Sequence, residues 1–207
     1  MIDRILIELD KGLKILSTTP NKNRKRPDEG LSEATSLSLE DKENHAKYMR
    51  VNHSGEICAQ GLYRGQLFFN KNKEIESKLK EAASEEVDHL AWCESRINEL
   101  NGSTSKLNPL LYIGSFGIGA IASIVDEKYN LGFLSETEAQ VALHLDSHIK
   151  KINPADKKTL KIIQSMKEDE ENHKESAIKM GGVELPNLIK KIMGAASRIM
   201  TTTTYRV

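Results

Sequence analysis

The chain has 207 residues, enough for one domain with a sizeable core, and its 30 basic residues balance 30 acidic ones. This neutrality gives no electrostatic reason to expect a nucleic-acid partner or an acidic tail. Its two cysteines, Cys58 and Cys93, form no CxxC pair and argue against a secreted disulfide framework, so we interpret both as reduced packing groups.

Residues 1–41 are predicted to form an amphipathic helix and a polar linker. The apolar positions of the helix recur every three or four residues, at Ile2, Ile5, Leu9, Leu13 and Leu16. Charged residues between them exclude a secretory signal peptide. The pattern does not decide whether this helix docks on the domain or lies on a surface. In the linker, we interpret the basic run at residues 23–26 as a solvated charge run.

Residues 42–181 are predicted to form an all-α bundle, because helical periodicity dominates and strand patterns are nearly absent. Four long helices are expected, at about 42–70, 74–101, 135–152 and 154–181. A turn at residues 70–72 and a stop at Asn101-Gly102 end the first two helices. Asn153 is expected to cap the fourth helix, with Pro154 at its first position.

Two further apolar segments lie outside these four helices. Residues 107–125 carry no charge and reach the lower length limit of a membrane span. Glycines and Pro109 weaken a lone helix, so a buried crossover helix or an interfacial segment is favoured over a span. Residues 182–207 are predicted to form an amphipathic helix with Lys190, Lys191 and Arg198 beside its apolar face. Such a helix rests on a membrane or packs against the bundle.

Two Glu-x-x-His patterns stand out, Glu86 with His89 and Glu170 with His173. A spacing of three places each pair on one helical face, and both pairs fall within the apolar stripe of their helix. An unpaired buried carboxylate costs several kcal/mol, roughly, so such positions call for a cation. The pattern therefore indicates metal ligation inside the bundle.

The other two predicted helices each contribute one glutamate on the apolar face, Glu56 and Glu138. Gly55 beside Glu56 suggests a packing or access requirement, since glycine costs about 1 kcal/mol in a helix interior. Residues 135–138 also read as a capping box, so the local pattern leaves Glu138 as a ligand or a cap.

The hairpin arrangement favours ligation. In a pair of antiparallel helices, residues equally far from the connecting turn lie at the same height along the helix axes. Glu56 and Glu86 are equally far from Lys71, and Glu138 and Glu170 are equally far from Pro154. One Glu from each of two helices with Glu-x-x-His from two others is the ligand pattern of di-iron and di-manganese bundles. The long connection at residues 102–134 suits a ferritin-like crossover, and the oxygen-rich ligands suit Fe(II) or Mn(II).

Several segments resemble the demethoxyubiquinone hydroxylase family. They are residues 49–56 (MRVNHSGE), 85–93 (EEVDHLAWC), 107–110 (LNPL), 131–133 (LGF) and 203–207 (TTYRV). The similarity covers nearly the whole chain and is weakest at residues 19–41. It implies one ferritin-like domain over residues 1–207, with a bundle at 42–181, a long hydrophobic crossover and a C-terminal helix at 182–207. The family's six iron ligands fall on Glu56, Glu86, His89, Glu138, Glu170 and His173.

The resemblance also implies an activity. The family uses two irons per chain, dioxygen and NADH-derived electrons to hydroxylate the ring of a polyprenyl methoxy-benzoquinol, the penultimate step of ubiquinone biosynthesis. No Gly-x-Gly-x-x-Gly fingerprint is present, so NADH would act without a Rossmann module. A bilayer substrate implies a peripheral protein on the cytoplasmic face of the bacterial inner membrane, or the matrix face in mitochondria. Partners would be a second copy or other ubiquinone-biosynthesis proteins.

Two residues are expected to have catalytic roles beside the ligands. Tyr63 lies two turns from Glu56 on the same face, and the family has a tyrosine there. His144 matches a family histidine proposed as a relay, although Leu145 stands where some members have tyrosine. His53 is interpreted as structural or outer-shell. His45 and His148 are expected at the surface.

Two alternatives remain at this point. A ferritin-like iron-handling or peroxide-scavenging protein would need the same ligands but no apolar face, and no four-cysteine iron site is present. A non-enzymatic membrane scaffold would leave the matched levels of the glutamates unexplained.

Overall fold

The structure is a computed structural model that describes residues 2–17 and 23–207. Residues 18–22 of the predicted linker lie outside the described part, as do the side chains of Ile2 and Ile5. Seven helices and no strands occur in the described part, which confirms the all-α prediction. The helices are α1 (Ile2–Ser17), α2 (Leu39–Phe69), α3 (Lys73–Glu99), α4 (Asn108–Val125), α5 (Glu127–Ile149), α6 (Lys157–Lys179) and α7 (Asn187–Arg206).

Helices α2 and α3 form one hairpin, α5 and α6 form a second, and the two hairpins pack into a four-helix bundle. The turn at residues 70–72 is confirmed, with the Asn72 side chain accepting from the backbone N–H groups of Glu74 and Ile75. Asn101 adopts a left-handed φ of 60°, which fits its predicted role as a helix stop.

The bundle core is divided into two apolar clusters. One contains Met49, Trp92, Cys93, Ile97, Leu145, Ile152, Ile162, Ile163 and Met166. The other contains Ala59, Tyr63, Ile75, Leu79, Ala82, Ala83, Leu131, Leu134 and Ala177. On each of the four bundle helices, the predicted ligands lie in sequence between residues of these two clusters. The core therefore encloses one polar layer, with apolar packing above and below it.

Two predicted helix starts are wrong. Helix α5 begins at Glu127, capped by Asp126, whose carboxylate accepts from the Lys128 N–H at 2.9 Å. Ser135 is inside the helix, so the expected capping box does not exist and Glu138 is an interior residue. Helix α6 begins at Lys157 and is capped by Asp156, not Asn153. Asn153 instead closes a turn by accepting from the Ala155 N–H, and that turn excludes Pro154 from the helix.

Helix α4 is the crossover, and of the two favoured alternatives, a buried crossover helix or an interfacial segment, the buried one is wrong. It runs parallel to α2 at very close range, since a Cβ on Gly65 would lie 2.1 Å from the Phe116 carbonyl oxygen. A Cβ on Gly119 would lie equally close to the backbone of Leu62. Only 17% of the residues of α4 are buried, because its other side exposes isoleucine and leucine side chains. Among the described helices, α4 alone is long and apolar enough to cross a bilayer, by length and composition only.

The terminal helices pack on the bundle along narrow contacts. In α1, Ile15 and Leu16 pack against a cluster that contains Tyr112, while Leu9 and Leu13 are exposed. Helix α7 packs on α2 and α5, where it buries Thr204 and half-buries Met193 and Met200, so the alternative of packing against the bundle is confirmed for this side. Its other side leaves Leu188, Ile192 and Ile199 exposed.

Three polar residues expected at the surface are buried or ion-paired. His45 contacts Asp156 at 2.7 Å inside the bundle, and His148 contacts Asn52 at 2.8 Å. Neither histidine is a surface residue. In the basic run, Arg24 is held by Asp88 and Asp169, so the interpretation of a solvated charge run is wrong there.

Candidate metal centre

The polar layer brings all six predicted ligands together from α2, α3, α5 and α6. The six residues form two overlapping groups of four, and within each group the ligand atoms all lie within 4.8 Å of one another. We define the His89 half-site as Glu56, Glu86, His89 and Glu170, and the His173 half-site as Glu86, Glu138, Glu170 and His173. Glu86 and Glu170 belong to both half-sites. The predicted convergence of the four glutamates is confirmed, and two adjacent half-sites with two shared carboxylates can hold two adjacent cations.

The residues fit a bound metal because, among the described residues, their inward atoms have no hydrogen-bond partner. The four glutamates and His89 are buried, whereas the His173 side chain is 11% exposed. Each of the six has a buried oxygen or nitrogen without a hydrogen-bond partner, namely one carboxylate oxygen of each glutamate and the Nδ1 atom of each histidine. The Nδ1 atom of His89 lies 2.6 Å from Glu86 without the geometry of a hydrogen bond. Such convergence of unpaired atoms is expected of ligands around one ion.

The electrostatics of the layer also calls for positive charge. Burial, and then the neighbouring carboxylates, raise the pKa values of Glu56 and Glu138 well above their ordinary value. Burial opposes protonation of His173, but the adjacent carboxylates of Glu170 and Glu86 raise its pKa to about 12. The pKa values of Glu86 and Glu170 are instead lowered, for Glu86 because His89 and His173 lie beside it, and for Glu170 because of its contacts with Glu138, His173 and His89. The layer therefore favours bound positive charge, as protons on Glu56, Glu138 and His173, and a metal cation would replace those protons.

Each ligand histidine donates its outer N–H to a carboxylate on the facing helix. The Nε2 atom of His89, on α3, lies 3.0 Å from Asp169 on α6. The Nε2 atom of His173, on α6, lies 2.7 Å from Glu85 on α3. Outer carboxylates of this kind fix the tautomer and orientation of a metal-binding imidazole, so Nδ1 faces the metal position.

Asp169 and Glu85 were missed by the sequence reasoning, although a signal exists. Each stands directly before the glutamate of a Glu-x-x-His pattern, giving Glu85-Glu86 and Asp169-Glu170. The position before the glutamate points across the helix interface, so each acid reaches the histidine of the other pattern. The reciprocal arrangement makes the two helices structural counterparts.

Tyr63 lies in the polar layer, as predicted. Its buried hydroxyl donates a hydrogen bond to Glu138 and lies 3.4 Å from a Glu86 oxygen. His144 does not join the two half-sites: its ring packs on His148 at a centroid distance of 4.0 Å. Its catalytic role stays a prediction.

His53 and the two cysteines lie outside the half-sites. His53 contacts Asn108 at 3.3 Å, in keeping with a structural role. Cys58 and Cys93 are free thiols, and Cys93 packs against the Met166 sulfur at 3.7 Å. Among the described residues, nothing outside the backbone of its own helix lies within 4 Å of a Cβ built on Gly55. Of the packing or access requirement interpreted at Gly55, the described residues show no packing contact.

Comparison with known proteins gives one consistent result. Residues 43–204 match the family described as "Ubiquinone biosynthesis protein COQ7". A protein of Chromobacterium violaceum named 3-demethoxyubiquinol 3-hydroxylase is 45% identical over 207 residues, covering 100% of both chains. Proteins of the same name from Nitrosospira multiformis and Legionella pneumophila are 48% and 44% identical, and the alignments cover 100% of this chain and 99% and 97% of theirs.

Proposed function

The chain belongs to the COQ7 family of ubiquinone biosynthesis proteins, and from this premise we propose that it hydroxylates a demethoxyubiquinol. The substrate is the ring of a polyprenyl methoxy-benzoquinol, and the enzyme is a monooxygenase. The proposal assigns residues 1–207 to one ferritin-like domain.

The observation that carries the proposal is the buried polar layer with its shared glutamates. We assign two irons per chain; each half-site would hold one, and Glu86 and Glu170, which belong to both half-sites, would contribute ligands to both. When bound, a pair of irons would allow dioxygen to be reduced by NADH-derived electrons, so that one oxygen atom enters the ring and the other leaves as water.

The protein's own side chains prepare this site. The two Nδ1 atoms are aimed inward by Asp169 and Glu85, and Tyr63 holds Glu138 by its hydroxyl. The apolar clusters shield the layer from solvent above and below. Such shielding limits the quenching of reacting groups by water.

We place the protein on the cytoplasmic face of the bacterial inner membrane as a peripheral protein. Helix α4 turns Leu110, Ile113, Ile121 and Ile124 outward. Its other side packs closely on α2, where Gly61, Gly65 and the Gly119 of α4 allow the backbones to approach. That attachment favours an interfacial position over a span, because α4 cannot leave the bundle. Basic residues beside the exposed apolar face of α7 suit anionic headgroups. The polyprenyl tail of the substrate resides in the same membrane.

The proposed partners are the quinol, dioxygen and the membrane surface, with a second copy or other ubiquinone-biosynthesis proteins. A nucleic-acid partner is not proposed, since the formal net charge is zero.

To test this, the purified protein is incubated with Fe(II), demethoxyubiquinol, NADH and oxygen, and the hydroxylated product is measured by mass spectrometry. Two irons per chain and product formation are expected. Glu170→Ala should lose both irons and the activity, since Glu170 belongs to both half-sites. Retention of two irons by this variant would overturn the assignment. NADH oxidation without hydroxylated product would favour an iron-handling or peroxide-scavenging role.

A further inference from the structure

Residues 23–38, which we call the strap, connect to the start of α2 and lie across the outside of α3 and α6. Their first contact is with Asp88, the buried residue directly before His89. One oxygen of Asp88 accepts from the backbone N–H groups of Asn23 at 2.5 Å and Arg24 at 3.2 Å. The strap is therefore fixed to α3 at the level of the polar layer.

The Arg24 side chain continues this contact toward the His89 half-site. Its guanidinium donates to Asp88 at 3.1 Å and to Asp169 at 2.9 Å, and it stacks 4.9 Å above the Trp92 ring. One of its nitrogens lies 3.4 Å from His89 Nε2. A planar guanidinium can bind two carboxylates at once in a fixed geometry, which a lysine ammonium cannot do.

The two half-sites differ in this respect. Asp169, which accepts from His89, is itself held by Arg24. Glu85, which accepts from His173, is 35% exposed, and its ion pair within the described residues is with His173. One outer carboxylate is thus clamped by the strap, whereas its counterpart opens to solvent.

We propose that Arg24 is a positioning residue, which orients His89 through Asp169 and thereby tightens cation binding at the His89 half-site alone. The inference rests on the proposed function, because it assumes that the six residues bind metal. Fixing Asp169 fixes the direction in which His89 donates, and hence the direction of its Nδ1 atom. Loss of an outer-shell partner lowers metal affinity by roughly ten- to hundred-fold.

The strap offers a matched control in Arg26. This second guanidinium also ties the strap to α3, through Glu99 at 2.6 Å and Ser95 at 2.7 Å. Its contacts with other described residues do not include a ligand histidine or Asp169. A general loosening of the strap should therefore affect the Arg26→Ala variant as much as Arg24→Ala, whereas a specific role should separate them.

The test titrates the metal-free full chain with Co(II), measuring visible absorption and binding calorimetry. The unmodified protein is expected to bind two Co(II). Arg24→Ala should retain one at unchanged affinity and bind the second roughly ten- to hundred-fold more weakly. Arg24→Lys should recover part of that loss, and Arg26→Ala should bind both ions normally. Equal binding by Arg24→Ala and the unmodified protein, or equal losses in Arg24→Ala and Arg26→Ala, would overturn the proposal.

A second comparison identifies the half-site and separates positioning from general structural damage. In a His89→Ala background, the added Arg24→Ala substitution should leave the remaining Co(II) site unchanged, because Arg24 acts through His89. Further weakening in this double variant would overturn the proposal even if Arg24→Ala alone folds poorly. Failure of the unmodified protein to bind Co(II) would instead count against the proposed function.

Discussion

The hydroxyl of Tyr63 on α2 donates a hydrogen bond to the carboxylate of Glu138 on α5, and so joins the two hairpins inside the polar layer. Replacing Tyr63 by Phe removes this donor and leaves a buried Glu138 oxygen unpaired, while the ring keeps its packing. We expect hydroxylation to fall roughly ten- to hundred-fold with two metals still bound. Steady-state turnover and metal analysis check this. An unchanged rate would show that Tyr63 only fills space.

The contact between α2 and α4 predicts opposite effects for two glycines of α2. Gly65→Ala places a methyl against the Phe116 carbonyl and should destabilise the protein by about 1–3 kcal/mol. The methyl group of Gly55→Ala would meet no described residue outside its own helix backbone within 4 Å, so the change should stabilise the protein by about 1 kcal/mol through helix propensity. Urea denaturation measures both variants. A stabilising Gly65→Ala would contradict the close packing of α4 on α2.

The buried His148 predicts an acid-sensitive stability. Burial, and then the neighbouring His144 and Lys151, lower the pKa of His148 to about 2 from 6.5. Below pH 6.5, His148 binds a proton in the unfolded chain but stays neutral in the folded protein, so the free energy of unfolding falls as the pH decreases. Between pH 7 and pH 5, this residue should lower the free energy of unfolding by about 2 kcal/mol.

His148→Gln removes that titration and can keep a hydrogen bond to Asn52. The variant's free energy of unfolding should therefore fall less steeply over the same pH range, as measured by denaturation of the metal-free proteins. Parallel pH profiles of the two proteins would contradict the buried neutral state of His148.

The exposed face of α4 predicts membrane binding. Ile121→Asp should weaken binding to phosphatidylethanolamine–phosphatidylglycerol vesicles roughly ten- to hundred-fold, because it removes one apolar side chain from the contact. Ile178→Asp is the control, since Ile178 is also an exposed isoleucine, at 51% against 64% for Ile121, but lies on α6, which packs on α3 and α5. Vesicle co-sedimentation measures both. Equal losses would place the membrane contact elsewhere.

The start of α5 and the two buried histidines show where local sequence patterns fail. Residues 135–138 satisfy the capping-box pattern, yet the helix already runs through them from Asp126, because an equally good cap lies upstream. His45 and His148 were expected at the surface. Their hydrogen-bond partners, Asp156 and Asn52, are 111 and 96 residues away in the chain. No periodicity within one helix carries information about such partners.

The sequence alone determined that Glu56, Glu86, His89, Glu138, Glu170 and His173 would meet inside a helical bundle. Helical periodicity placed them on core faces, and equal distances from the turns placed the glutamates at one level, since both quantities depend only on the spacing along the chain. Only the tertiary structure decided that Glu86 and Glu170 are shared, and that α4 turns its apolar side outward. It also decided that Arg24 reaches Asp169, 145 residues away. These relationships depend on how separate elements pack, and packing is set by contacts between residues that are remote in sequence.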